Sequence, residues 1–435
     1  MLRVIDLRSQ TADEATILAS LPRAELDVDK ALAAVMPLME DVRVRGEAAL
    51  HEQTESFDHT TCEHIRVPQA EIDQAVADMS AELRTAIEES IHRQREASAA
   101  QLHETVITEL GQGARVIQRW RPVRRVGLYV PGGKAVYPSS VIMNVVPAQT
   151  AGVAEIAVAS PAQSDYDGHI HPLILAVCGL LGVTHVYAMG GAGAIAAFAY
   201  GVPSLGLAPV DVITGPGNIY VAAAKRIVRG VCGIDAEAGP TEIMVLADAT
   251  ADPDFVASDL LSQAEHDEQA GSVLVTTDAD FAREVDERLE QRVAHTPNRE
   301  RATTALTGPQ SGTILVNTLD DAVAVANAYG AEHLEIQTED PHAVAERIDN
   351  AGAIFLGGYS PVSLGDYSSG SNHVLPTGGQ ARFSAALGTY SFIRPQQIID
   401  YSKEGLGELA DGIVAFARAE HLPAHGEAVS ARFGA

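Results

Sequence analysis

The segment Gly365-Asp366-Tyr367-Ser368-Ser369-Gly370-Ser371-Asn372-His373-Val374-Leu375-Pro376-Thr377 gathers a carboxylate, an imidazole, an amide and several hydroxyls in one glycine-punctuated loop. Apolar, strand-like runs at 353–356 and 374–375 bracket it, so it presents groups instead of filling a core, as loops on a rigid scaffold do. Alone it would read equally well as an ordinary Gly/Ser/Asn turn. Three other groups match its chemistry. Gln263 and His266 lie three apart in a helical pattern and share a face. That face is either a metal site built from an amide oxygen and an imidazole nitrogen, or a solvated surface ending in Asp267-Glu268-Gln269; it lacks the HExxH pattern. Glu332-His333 joins a ring that accepts protons near neutral pH to a carboxylate that can activate water. This dyad follows a helical pattern over 320–329 and the Gly330 stop, at the start of a strand rather than at the carboxyl end where α/β sites gather. Glu420, His421 and His425 surround Pro423 in the tail, where by themselves they read as exposed residues.

Two glycine-rich turns precede helices. Gly191-Ala192-Gly193-Ala194-Ile195-Ala196 fits GxGxxA, and Asp211 follows about twenty residues on, the layout of a dinucleotide fingerprint. Gly/Ala-rich helix starts also match that pattern easily. Gly215-Pro216-Gly217-Asn218 opens a second helix, whose free N–H groups favour anions.

The elements that must position these groups follow from length and patterning. At 435 residues the chain exceeds what one hydrophobic core serves, so at least two domains are expected. A net charge of −28 repels phosphodiester backbones and anionic lipid surfaces, which argues against nucleic-acid or membrane partners. No run of about 18 apolar residues offers a membrane span, and the charged start Met1–Arg8 lacks a secretion h-region. Cys62, Cys178 and Cys232 form no CxxC, so reduced thiols in a cytoplasm are expected.

Residues 25–103 read as helices, with apolar positions Leu32, Val35, Met36, Met39 and Val42 and a kink at Pro37, then Ile72, Val76, Met79, Leu83, Ile87 and Ile91. Strands at 125–130, 153–160, 185–189 and 210–214 alternate with helices at 172–181, 192–200 and after Asn218. A second alternation starts at 241–247, continues with a helix capped by Asp252-Pro253, and has strands at 273–276, 313–316 and 354–356. Alternation of this kind predicts an α/β protein with two incomplete Rossmann-like parallel-sheet domains. The expected division is an N-terminal segment 1–24, one α/β domain from 25–128 with 241–387, a second from 129–240, and a tail 388–435. The tail reads as a strand near Phe392 and a helix to Glu420.

Seven segments in order resemble the histidinol dehydrogenase family: Tyr129-Val130-Pro131-Gly132-Gly133, Gly215-Pro216-Gly217-Asn218, Ala238-Gly239-Pro240-Thr241-Glu242, Leu261-Ser262-Gln263-Ala264-Glu265-His266, Ala331-Glu332-His333-Leu334, residues 363–382, and Leu422-Pro423-Ala424-His425. The resemblance implies oxidation of L-histidinol to L-histidine through L-histidinal with two NAD, the last steps of histidine biosynthesis. It also implies one zinc ion (Zn2+) per subunit at Gln263, His266, Asp366 and His425, a ligand type that cobalt or manganese would also accept. Glu332 and His333 are the implied catalytic pair. Substrate contacts are implied at Thr241, Gln263, His266, His333, Asp366, His373, Glu420 and His425, and NAD contacts at Tyr129, Asn218 and Gly193, in the 129–240 domain. Where the family usually has Gln, this chain has Gly193, which puts the cofactor contact there in doubt. The tail is implied to cross to the partner of a homodimer and share its site. The closest rival is a dehydrogenase of another small alcohol, such as a sulfonated propanediol, whose anionic substrate would disfavour Glu420. A non-catalytic binding protein and a metal-dependent hydrolase are the rivals from other classes.

Overall fold

The computed structural model describes residues 1–9, 14–24, 28–132, 136–237 and 239–434. The expected helix start and domain boundary at Glu25, and the motif residues Gly133 and Ala238, lie outside the described residues. Among the described residues, two parallel sheets carry the fold. The first contains β1 (Val4–Asp6), β9 (Glu242–Ala247), β10 (Gly271–Thr276), β11 (Gly312–Leu315), β12 (His333–Gln337) and β13 (Ala353–Leu356), in the order β1-β11-β10-β9-β12-β13. The second contains β4 (Arg125–Tyr129), β5 (Glu155–Ser160), β6 (His185–Ala188), β7 (Val212–Thr214) and β8 (Gly233–Ile234), in the order β6-β5-β4-β7-β8. Counted from β4, the five-stranded sheet runs third, second, first, fourth, fifth; counted from β9, the six-stranded sheet runs the same way, with β1 added beyond its third strand. That is a doubly wound order cut short by one strand, as the alternation of patterns predicted. A third, antiparallel sheet joins β2 (Val106–Gly111), β3 (Ala114–Pro122) and β14 (Ile393–Tyr401) in the order β14-β3-β2.

The early helices do not pack where the sequence pattern put them. They were expected to join residues 241–387, yet Val35, Met39 and Leu50 bury against Ile195, Phe198 and Ile213. On the opposite face Ile72, Ile87 and Ile91 share a core with Val126, Leu128, Val158 and Val177. Residues 28–100 therefore belong with the five-stranded sheet, and the expected 128/129 boundary cuts through β4. The reason is legible in the crossover helices. Residues 139–148, 174–178 and 192–199 are buried without a break, so these helices are apolar on every face and need a second layer of cover. The N-terminal segment is likewise no appendage, because β1 pairs in parallel with β11. The helix Val28–Arg45 continues through Pro37, which lies on its solvent flank. Among the described residues, no helix is long and apolar enough to cross a membrane.

Beneath the turn 215–218 lies a buried ion pair. The side chains of Lys225 and Asp235 are 2% and 6% exposed and in direct contact. Lys225 Nζ also donates to the Gly215 carbonyl at 2.9 Å, and Asp235 Oδ2 accepts the Gly215 N–H at 2.8 Å. The pair thus grips both backbone polar groups of one residue, Gly215, at the carboxyl end of β7. Lys225→Met should cost about 3–5 kcal/mol, because it strands Asp235 as an uncompensated buried charge. The midpoint of urea unfolding measures this, and a shift worth under about 1 kcal/mol would show that the turn stands without the pair.

Candidate active site

The site forms where the six-stranded sheet reverses its winding, between β9 and β12. Their register sets His333 opposite Ile243, so Thr241-Glu242 lies beside Glu332-His333 at the amino edge of both strands. Gln263 Nε2 donates to Thr241 Oγ1 at 2.7 Å, and Thr241 Oγ1 donates to Glu332 Oε2 at 2.5 Å. The Glu242 N–H donates to the same Glu332 oxygen at 2.9 Å. Because Thr241 Oγ1 receives the amide hydrogen, its own hydrogen is directed at Glu332. Burial pushes the Glu332 carboxyl up to about 8, against the pull of those two donors toward the ionised form. A carboxyl poised there exchanges protons with water near neutral pH.

His333 is 5% exposed, and its Nδ1 lies 3.1 Å from the Glu242 carbonyl oxygen. The hydrogen is therefore assigned to Nδ1, and Nε2 keeps its lone pair. Burial lowers the pKa of this ring, so it rests neutral and able to accept a proton. His266 has the same arrangement, with Nδ1 at 3.0 and 3.2 Å from the carbonyls of Ser262 and Gln263. Asp366, on the short helix Val362–Tyr367, is raised by burial and drawn back down by His333 and His266. His373 sits with Nδ1 3.6 Å from Asp366 Oδ1 and Nε2 3.1 Å from Ser140 Oγ, and burial depresses it to about 4.

Ser140 begins the helix Pro138–Ala151 that follows β4, so this contact brings the carboxyl edge of the five-stranded sheet to the amino edge of the other. Asn372 Nδ2 donates to the Met143 carbonyl at 2.7 Å and fastens the same seam.

The structure thus gathers Thr241, Gln263, His266, Glu332, His333, Asp366 and His373. It does not bring Glu420 and His425 to them. Both are exposed, beyond β14, at the end of the helix Lys403–Ala419 and in the helix Pro423–Ser430. Accordingly, among the described residues of one chain, no three His, Cys, Asp or Glu side chains form a ready metal cage. The donor set nevertheless fits a metal. Gln263 is 1% exposed, and its Oε1 has no hydrogen-bond partner. An orphaned buried amide oxygen beside an imidazole whose Nδ1 is already engaged suits zinc or a similar ion.

At the carboxyl edge of the five-stranded sheet, Tyr129 OH accepts the Gly191 N–H at 3.2 Å, and burial raises the phenol to about 12. Asn218 Oδ1 caps the helix Ile219–Val228 through Tyr220 N and Val221 N, at 3.0 and 3.2 Å. That leaves its Nδ2 for a ligand. Gly193 is buried, and a Cβ there would run into the side-chain oxygen of Gln53. The literal GxGxxA reading fails. Its glycines follow the third strand of the sheet instead of the first, and Asp211 Oδ2 is occupied at the opposite edge by the N–H groups of Arg124 and Arg125.

Glu242 belongs to the 238–242 motif and has a bracing role there that its residue type alone does not reveal. Its side chain accepts from Tyr329 OH and Gly378 N, both at 3.1 Å, and pairs with Arg23 at 3.3 Å. Strand alternation was the available signal, since Glu242 must point away from Thr241.

Gly352 packs against the backbone of Glu332, where an added Cβ would lie 2.5 Å from the Glu332 carbonyl oxygen. Gly352→Ala should therefore push the dyad's strand and cost about 1–3 kcal/mol. Thermal unfolding of the variant checks this, and an unchanged transition would mean that β12 yields freely.

A family model for histidinol dehydrogenase matches residues 21–433. A histidinol dehydrogenase of Leifsonia xyli subsp. xyli is 59% identical over 432 residues, covering 99% of each chain. One of Bifidobacterium longum is 54% identical over 441 residues, covering 100% of this chain and 94% of the relative. The crystal structure of histidinol dehydrogenase from Elizabethkingia anophelis superposes with a TM-score of 0.93 at 34% identity, covering 100% and 98% of the two chains. With a buried Glu–His dyad at its switch point and this likeness along its whole length, the chain belongs to the histidinol dehydrogenase family of oxidoreductases.

Proposed function

We propose that this enzyme oxidises L-histidinol to L-histidine through L-histidinal, reducing two NAD, as a cytoplasmic homodimer with a zinc ion in each site. The observation that carries the reading is the hydrogen-bond chain from Gln263 through Thr241 to Glu332, beside a neutral His333 with its Nε2 free. Gln263 Oε1, His266 Nε2, Asp366 and a His425 would hold the zinc; when bound, it supplies a fixed anchor for the imidazole and amine of the substrate. Tyr129 and Asn218 would hold NAD, which accepts the hydride in each half-reaction.

The residues divide the proton work. His333 Nε2 takes the hydroxyl proton as hydride leaves the alcohol carbon, which yields the aldehyde. Glu332, in its ionised form, then takes a proton from water as the water oxygen adds to the aldehyde carbon, and His333 returns the proton it took to the former carbonyl oxygen, giving a gem-diol and a neutral His333. His333 takes a gem-diol proton as the second hydride leaves, and the carboxylic acid results. Both donors to Glu332 go to Oε2, so Oε1 is the oxygen left to face water. Holding the aldehyde between steps supplies proximity and limits its escape.

The tail supports a shared site. The helix Lys403–Ala419 buries only Gly405 and Ala417, while Leu409, Phe416 and Leu422 are 47%, 70% and 43% exposed. Apolar side chains uncovered by their own chain suit burial against a second copy, and that copy would place Glu420 and His425 in the partner's site.

Two experiments test the reading. Glu332→Gln keeps the shape but cannot deprotonate water, so oxidation starting from the aldehyde should fall much further than the first hydride transfer from the alcohol. Single-turnover rates from each starting point decide it; equal losses would remove Glu332 from the hydration step. The second test mixes a Glu332→Gln chain with a His425→Ala chain, each nearly inactive, under subunit exchange. Half the dimers would be mixed, each with one intact composite site, so roughly a quarter of wild-type activity should return. No recovery would mean that each tail serves its own core.

A further inference from the structure

Behind the ligand residues lies a buried acidic cluster that takes no part in the chemistry above. Asp259 stands one helical turn before Gln263 on the helix Pro253–Ala264. Glu335 stands two residues after His333 on β12, and Val362 opens the helix that carries Asp366. Asp259 is 9% and Glu335 1% exposed. Gln337 joins them, its Nε2 donating to Asp259 Oδ2 at 3.1 Å and to Glu335 Oε2 at 2.9 Å. The second Glu335 oxygen accepts the Val362 N–H at 3.0 Å, one of the donors that a helix start leaves free.

Two bare carboxylates at this depth would repel strongly, so the pair keeps a proton between them. Burial raises both groups, in keeping with that sharing. The nearby cation does not replace the proton, because Arg292 is engaged by Asp254 at 3.0 Å. Three elements therefore meet at one polar knot: the helix of Gln263, which leads into the turn of His266, the strand of His333, and the helix of Asp366. The bonds made by Gln337 Nε2 and by Glu335 tie these elements directionally where apolar packing would not, although Gln337 Oε1 is left without a partner.

We infer that the Asp259–Glu335 carboxyl pair, bridged by Gln337, is a positioning device for the metal site. It fixes the separation of the helix carrying Gln263, with His266 in the turn that follows it, from the helix carrying Asp366. This rests on the metal reading proposed above. Neither carboxyl touches metal or substrate; each acts through the helix it holds.

The test measures zinc affinity of the full-length protein by competition with a chromophoric chelator, together with hydrogen exchange at the Val362 amide. Asp259→Leu removes the shared proton and should weaken zinc binding about 10–100-fold, the usual cost of losing an outer-shell partner. The Val362 amide should exchange faster in the same variant. Asp259→Asn should rescue both, since its Oδ1 can accept from Gln337 while its Nδ2 donates to an ionised Glu335. Leu260→Ala, on the same helix in the apolar core, controls for lost stability. It should lower the unfolding midpoint and leave zinc affinity unchanged. If Asp259→Leu does not fold, Gln337→Leu, neutral for neutral, carries the same expectation. Wild-type zinc affinity in the leucine variants, or equal loss in Leu260→Ala, would overturn the inference. Wild-type protein that binds no zinc would overturn the metal reading itself, a result distinct from any difference between variants.

Discussion

The site depends on one anchored carboxylate. Glu332 stands where two strands of opposite winding begin, and the polar groups at that edge are arranged around it. Its neighbour Glu242 contributes a single backbone residue that does two jobs: the N–H donates to Glu332 and the carbonyl accepts from His333. The spacing of the dyad is therefore set by strand geometry. The Glu242 side chain points the other way, where Tyr329, Gly378 and Arg23 hold it, so the strand edge is braced from both sides. Rigid scaffolding of this kind keeps reacting groups within the narrow tolerance that proton transfer needs.

An amino edge is an unusual place for the chemistry of an α/β protein, where ligands collect at carboxyl edges. The arrangement makes sense once both sheets are considered. The five-stranded sheet presents its carboxyl edge, with Tyr129 and the turn after β7. The six-stranded sheet presents its amino edge, with Thr241 and the dyad. Ser140–His373 and Asn372–Met143 close the seam between them. Burial at that seam pushes Glu332 up and His333 and His373 down, so each is driven toward its neutral form. Groups held this way can trade protons without first shedding a shell of water.

The outer layers answer a different constraint. Crossover helices that are apolar all round cannot face solvent, and the helices of residues 28–100 exist to cover them. The same reasoning applied to the tail has the opposite outcome. The helix Lys403–Ala419 and the sheet β14-β3-β2 leave Val106, Ile107, Ile399 and Phe416 exposed, and among the described residues no other element covers them.

Much was legible without coordinates. Alternating strand and helix patterns identified both parallel sheets, and most strands begin and end within about two residues of their patterns. The family resemblance singled out Gln263, His266, Glu332, His333, Asp366 and His373, whereas their residue types and spacing alone left Gln263 and His266 open to a solvated-surface reading. Local patterning has no access to partners distant in the chain, and that limit accounts for each discrepancy. The short strand β1 carries too few residues for a period to show, and the hairpin β2-β3 is mostly exposed or half-buried, so no buried apolar alternation marks it. The early helices were assigned to the wrong sheet, since an apolar stripe says that it must be buried but not against what. Glu242, Ser140 and Asp259 gained their roles only from neighbours 76 to 233 positions away, and Glu335 gained its role from Asp259 and from Val362, 76 and 27 positions away, brought close by the fold. Sequence alone determined which chemistry the chain carries and which periodicities its elements must have, because both reside in residue types and local spacing. Tertiary structure decided which faces meet and which protons are held where, because burial and hydrogen-bond direction exist only once distant segments share the same dry space.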